Sequence, residues 1–193
     1  AAVAPVEQEA IDAPQADAAE QDGQNPVSAE FVSRYYWRPD LFIQECVVFP
    51  EGDGPTPYQI EVAREIGRRR RVALRTGRGA GKTCLAALIV WWFASTRDAR
   101  GTDWKIPTTA GSEVQLKRYL WVEIRKWYRR IRWDIVGRPP VREGREVLQQ
   151  TLRLDHGEAF AVNSENNEEI EGAHATALLF LYDESKIVPD KTF

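Results

Sequence analysis

The chain has 193 residues, is 43% hydrophobic and 28% charged, and carries a formal net charge of −3 with two cysteines and no methionine. That is enough apolar material for one ordinary domain, and it excludes a short peptide or a disulfide-stapled mini-protein. The longest apolar run, Cys84–Ala94, has eleven residues, whereas a membrane-spanning helix needs about 20. Charge is unevenly spread. Residues 1–30 hold seven acids and no Lys or Arg, while residues 64–82 hold eight bases against Glu65 alone. A basic belt on a mildly acidic chain points to a polyanionic partner, nucleotide or nucleic acid.

The N-terminus lacks both the basic start and the apolar stretch of a signal peptide. Residues 1–27 are rich in Ala, Gln, Asp, Glu and Pro without an aromatic residue, a composition expected of a disordered acidic tail or linker. With no Met at position 1, the sequence reads as a processed or excised piece of something larger. A helical entry segment is expected over 28–55. Ser28 would cap a short helix carrying Phe31, Val32 and Tyr35, and Pro39-Asp40 would open a second helix over Leu41–Val48. The run Pro50–Pro55 reads as a loop.

Residues 56–193 read as the core of the domain. Thr56-Pro57-Tyr58-Gln59 has the pattern of a capping box with Pro at the first helical position, and Ile60, Ala63 and Ile66 form the apolar stripe behind it. Val72-Ala73-Leu74 is expected as a buried strand. A Gly-rich loop follows, then a helix from Lys82 to about Ser95, and a strand over Trp104–Thr109. Ser112 would cap one long helix to about Trp133, with Val114, Trp121, Ile124, Tyr128 and Ile131 on its apolar stripe. Gly137-Arg138-Pro139-Pro140 ends it. Leu148–Leu154 and Ala159–Asn163 flank a turn and read as a hairpin. Ala177–Tyr182 is a continuous apolar strand that delivers Asp183 and Glu184. No internal repeat is evident. Cys46 and Cys84 sit in separate apolar contexts and read as reduced, buried thiols.

The strongest single feature is Arg75-Thr76-Gly77-Arg78-Gly79-Ala80-Gly81-Lys82-Thr83 between strand and helix. Glycines let successive backbone N–H groups converge on phosphate oxygens, and the helix N-terminus adds partial positive charge. Lys82 is the expected contact to β- and γ-phosphates, and Thr83 the hydroxyl ligand of Mg²⁺. Thr76 stands where the general pattern has Gly, with Gly77 one residue late. Asp183 suits direct or outer-sphere binding of Mg²⁺, and Glu184 suits polarisation of an attacking water. Arg78, inside the loop, is expected to touch phosphate or the transition state, with Arg75 a lesser candidate. Tyr58 and Gln59 have two readings from spacing: stacking on and reading an adenine ring, or simply closing the capping box.

Together these residues resemble the ATPase half of the large terminase subunit of tailed bacteriophages. The resemblance covers about 31–193. It runs through Asp40-Leu41-Phe42-Ile43-Gln44-Glu45, Pro57-Tyr58-Gln59, the Arg-bearing loop Gly77–Thr83, Thr108-Thr109-Ala110 with Gln115, and Ile170-Glu171-Gly172-Ala173-His174 ahead of Asp183. It implies an α/β, RecA-like P-loop NTPase of the additional-strand type, with a mostly parallel central sheet flanked by helices and incomplete at the C-terminus. It further implies ATP and Mg²⁺ as ligands, double-stranded DNA, a portal protein and a small terminase subunit as partners, and a homo-oligomeric ring when assembled. The motor would act on the procapsid in the cytoplasm of an infected bacterium, with the isolated chain a monomer.

Carried over by position, Gln59 reads adenine, Arg78 is the loop arginine, Lys82 and Thr83 hold phosphate and metal, and Glu184 activates water. The family's coupling motif and nuclease domain are expected downstream of Phe193. The first lobe of a two-lobe helicase, or a nucleotide-binding module without turnover, are the alternative readings. Among the remaining candidates, His174 is expected to be a hydrogen-bonded structural residue and His156 a solvated turn residue. Arg68–Arg71 could meet DNA or cap a helix. Arg118, Arg125, Arg129 and Arg132 are expected as a solvated helix face. Glu165, Glu168, Glu169 and Glu171 read as a polar loop without metal.

Overall fold

A computed structural model describes residues 26–69, 71–77, 79–162 and 174–183. The fold is α/β, with helices packed on a mixed, open sheet. Four main helices come first: α1 (Pro26–Tyr35), α2 (Pro39–Glu45), α3 (Pro57–Arg68) and α4 (Lys82–Ala99). β1 (Trp104–Ala110) is followed by a segmented helix, α5 (Glu113–Gln115) to α6 (Trp121–Trp127), and by the short α7 (Trp133–Val136). The remaining strands are β2 (Thr151–Arg153), β3 (Gly157–Ala161), β4 (Ala177–Leu178) and β5 (Leu181–Asp183).

β1 is the centre of the sheet. It pairs in parallel with β3 on one side and with β4 and β5 on the other, while β2 closes the far edge antiparallel to β3. The antiparallel β2–β3 hairpin makes the sheet mixed, where a mostly parallel sheet was expected. The registers Ala110↔Asp183 and Thr108↔Ala161 bring the carboxyl ends of β1, β3 and β5 to one edge.

α4 is the core helix. Leu85 and the run Ala87–Ala94 are buried, because this helix is apolar on nearly every side and is covered by α1, α2, α6 and the sheet. Phe31, Tyr35, Phe42 and Ile43 from the entry segment join Trp91, Trp104 and Trp121 in one cluster. The entry helices and the sheet therefore share a single core. Tryptophan N–H groups are satisfied inside it: Trp91 donates to Ile124 O at 2.8 Å and Trp92 to Tyr35 O at 2.7 Å. No described helix is long and apolar enough to cross a membrane.

Several expectations are corrected. α1 begins at Pro26, two residues ahead of Ser28, so Ser28 lies inside the helix rather than capping it. In α2, Pro39 takes the first helical position and Asp40 lies inside the first turn rather than capping it. Asp40 is fully buried between Arg38 (2.9 Å) and Arg64 (3.2 Å).

Val72-Ala73-Leu74 is not a strand in the sheet: Val72 is 39% exposed and Leu74 only half-buried. The segment Ala177–Tyr182 is likewise not one buried strand. It divides at Leu179-Phe180 into β4 and β5, and Leu178 and Phe180 are exposed. The helix after Ser112 is also not one α-helix. Leu116–Leu120 is a π-turn and Tyr128–Arg130 a 3₁₀ turn. A π-turn adds a residue to the helical period, so Val114 falls off the apolar stripe and is 58% exposed, while Leu116, Leu120, Trp121, Ile124 and Trp127 are buried.

Candidate nucleotide site

Two sequence features build the site's scaffold. Thr56 caps α3 with the expected capping box: its side chain accepts from the Gln59 N–H, and the Gln59 side chain accepts from the Thr56 N–H at 2.8 Å. Gly81, the N-cap of α4, has φ +75°, and Gly79 has φ +77°. Both values lie in the left-handed region that side-chain-bearing residues avoid. The chain therefore turns at Gly79 and Gly81 and enters α4 at Lys82. The first N–H groups of that helix have no intrahelical acceptor, and the helix end carries partial positive charge.

Lys82 folds over this loop. Its Nζ donates to Gly77 O at 2.9 Å, Thr76 O at 3.3 Å and Thr76 Oγ1 at 3.2 Å. The ammonium group is thus held within the loop by acceptors that a phosphate oxygen can replace. Thr76, a departure from the general pattern on sequence grounds, supplies two of these three acceptors. The one available signal for it was its position six residues before Lys82.

The Thr83 hydroxyl donates to Asp183 Oδ2 at 3.3 Å, linking the first turn of α4 to the end of β5. Two oxygens sharing an octahedral Mg²⁺ at about 2.1 Å each sit roughly 3 Å apart when adjacent. One hydroxyl and one carboxylate oxygen at this separation fit such an ion. The site supplies few protein ligands, as suits Mg²⁺, which retains water and takes phosphate oxygens. No group of three or more His, Cys, Asp or Glu able to hold a metal occurs among the described residues.

Tyr58 and Gln59 reach the same loop from α3. Tyr58 Oη donates to Ala80 O at 2.5 Å, and Gln59 Nε2 donates to Gly81 O at 3.0 Å. Gln59 is buried, and its Oε1 also accepts from Thr56 Oγ1 at 3.1 Å. Both ends of the amide are therefore engaged inside the protein. Burial pushes the Tyr58 phenol above its ordinary value, with the Cys84 thiol adding to the shift, so the phenol remains a donor.

The structure brings Tyr58, Gln59, Gly77, Gly79, Ala80, Gly81, Lys82, Thr83 and Asp183 to one place. Arg78 and Glu184 lie outside the described residues, as do Arg70, Glu165, Glu168, Glu169 and Glu171. Arg75 is exposed beside the loop. Arg68 and Arg69 pair with Glu65 at the end of α3. Arg129 pairs with Glu143 and Arg132 with Asp134, while Arg118 is exposed and Arg125 half-buried. His156 is an exposed turn residue whose backbone N–H donates to Asp98, and His174 is exposed. Cys46 is a buried free thiol and Cys84, expected to be buried, is half-buried; burial raises them to about 12 and about 11 respectively, which keeps both protonated at neutral pH.

Comparison of the chain with protein-family models, curated proteins and solved structures yields no match.

Proposed function

We propose that the chain is a P-loop ATPase that binds ATP with Mg²⁺ at the Thr76–Thr83 loop, in a RecA-like domain of the kind found in terminase large subunits. The observation that carries the reading is the approach of Thr83 to Asp183 beneath a loop whose lysine is already held over it. A glycine-built anion cradle, a lysine ammonium donor and a paired hydroxyl and carboxylate are together what a metal-bound triphosphate requires. A bound Mg²⁺ would supply positive charge to offset that of the phosphates. Thr83 and Asp183 would hold it, Lys82 would leave the Thr76 and Gly77 oxygens for the β/γ-phosphates, and Glu184 would accept the proton of the attacking water.

The finer reading is that hydrolysis powers translocation of double-stranded DNA into a viral procapsid, on a ring assembled with portal protein and small terminase subunit. It rests on the sequence pattern set out above, with the Gly77–Thr83 loop and the Gly172–His174 segment its main supports. Calorimetric titration with ATP, with and without Mg²⁺, followed by phosphate release in the presence of duplex DNA, tests both levels. Mg²⁺-dependent binding is expected of this chain, and DNA-stimulated release once the sequence beyond Phe193 that would carry the coupling motif is restored. Absence of ATP binding in either condition rejects the assignment, and DNA-indifferent turnover of the extended chain rejects the motor.

A further inference from the structure

We infer that Tyr58 and Gln59 are positioning residues that set the peptide planes of the phosphate loop, and that Gln59 does not read the nucleotide base. The inference rests on the phosphate-site reading and concerns what that site recognises. In a trans peptide the carbonyl of one residue and the N–H of the next point in opposite directions. Tyr58 Oη holds the Ala80 carbonyl toward α3, which turns the Gly81 N–H away from it. Gln59 Nε2 donates to the Gly81 carbonyl, which also accepts the Leu85 N–H of α4, and the two donors together fix the plane that turns out the Lys82 N–H. These two N–H groups sit at the helix entrance where an anion is best received.

The fit is tight. A Cβ added at Gly81 would come 2.7 Å from Gln59 Nε2, so the amide lies directly against the loop backbone. The carbonyl end of the same amide is occupied by Thr56, through both its N–H and its hydroxyl. Turning Gln59 toward an adenine would break the side-chain half of the capping box and remove one of the two donors on the Gly81 carbonyl, leaving the Leu85 N–H of α4 as the other. The helix cap and the loop thus share one side chain, and recognition at this site is directed at the polyphosphate.

The test is isothermal titration of the whole chain with ATP, GTP and inorganic tripolyphosphate, each with Mg²⁺, for wild type, Tyr58→Phe and Gln59→Leu. Melting of each unliganded variant is recorded alongside. Tyr58→Phe deletes one hydroxyl and is expected to melt near wild type yet bind all three ligands about fivefold more weakly, in parallel. Gln59→Leu is expected to weaken all three by about tenfold without changing the ATP-to-GTP ratio. A loss confined to ATP in Gln59→Leu overturns the inference in favour of base reading. Unchanged tripolyphosphate affinity in Tyr58→Phe overturns the bracing while leaving the phosphate site standing. Should Gln59→Leu fail to fold, Tyr58→Phe decides the bracing and the wild-type comparison of ATP with GTP decides base reading, a marked preference for ATP overturning the inference. Wild type binding none of the three ligands overturns the phosphate site itself, and the inference with it.

Discussion

The Thr83 hydroxyl and the Asp183 carboxylate, 100 residues apart in sequence, meet at 3.3 Å where the start of α4 faces the end of β5. The contact follows from sheet register: β5 lies against β1 with Asp183 opposite Ala110, and α4 packs across both strands. A hydrogen bond of this length is weak by geometry, and a divalent cation between the two oxygens would replace it.

Thr83→Val and Asp183→Asn should therefore remove most of the benefit of Mg²⁺ for ATP binding while leaving Mg²⁺-free binding nearly unchanged. The first removes a ligand oxygen and the second the negative charge of the other, without altering the loop. Titration of ATP at fixed protein over a Mg²⁺ series reads this directly. Equal Mg²⁺ dependence in wild type and both variants would remove the metal role.

Lys82→Ala should lower ATP affinity by at least about tenfold, because charge-assisted hydrogen bonds to phosphate contribute roughly 1.5–3 kcal/mol. The substitution also frees the Thr76 and Gly77 oxygens that Lys82 now bridges. Those groups are largely accessible to water, so melting should change little. An undiminished affinity in Lys82→Ala would refute the loop's role.

Glu184→Gln tests the chemical step. The amide is nearly isosteric with the carboxylate but cannot accept a proton from water, so ATP binding should persist while turnover falls by about 10² or more. Binding lost together with turnover would make Glu184 a structural residue.

Local chemistry was the legible part of this sequence. The capping box at Thr56 and Gln59, the Gly81 entry into α4, the strand at Trp104 and the Asp183 strand end all depend on residues within a few positions of each other, and all are present. What was not legible depends on partners. An apolar triplet such as Val72–Leu74 reads as a buried strand only if another strand pairs with it, and among the described residues none does. The π-turn at Leu116–Leu120 shifts the helical phase by one residue, which a fixed period cannot anticipate. The dual engagement of Gln59 is a tertiary fact: the capping box predicted one end of its amide and nothing local predicted Gly81 at the other.

Asp40 makes a pH-dependent contribution to stability. Burial alone would raise its carboxyl, but hydrogen bonds from Arg38 and Arg64 outweigh burial and hold it below the ordinary carboxylate range. A carboxyl depressed in the folded state stabilises the fold above its unfolded value, about 3.9, and loses that contribution as pH falls through the folded value. Asp40→Asn should thus cost about 2 kcal/mol at neutral pH, and the gap from wild type should close in strong acid. Urea melts across the acid range would show convergent curves. A gap independent of pH would assign the loss to packing instead.

Arg97 gives the opposite kind of prediction. It is 4% exposed near the end of α4, with its guanidinium 4.0 Å from the Tyr36 ring centroid, 4.2 Å from Phe93 and 4.5 Å from Trp92. Nη1 donates to Tyr36 O and Thr96 Oγ1, no carboxylate pairs with it among the described residues, and Nε has no hydrogen-bond partner. Ring contacts favour the cation, yet burial prevails and pushes the group down to about 10. A base depressed in the folded state carries an unfavourable charge at neutral pH, and that penalty shrinks as pH rises past the folded value. Arg97→Met keeps much of the side-chain volume and removes the charge, so it should match or exceed wild-type stability at about pH 7, with its advantage narrowing in alkali. Arg97→Ala should lose at least about 2 kcal/mol, because it empties the space between the rings. Denaturant melts of both variants at neutral and alkaline pH separate charge from volume. A Met variant as unstable as the Ala variant would mean that the cation–ring contacts, not packing, hold α4 to the Tyr36-Trp37 corner.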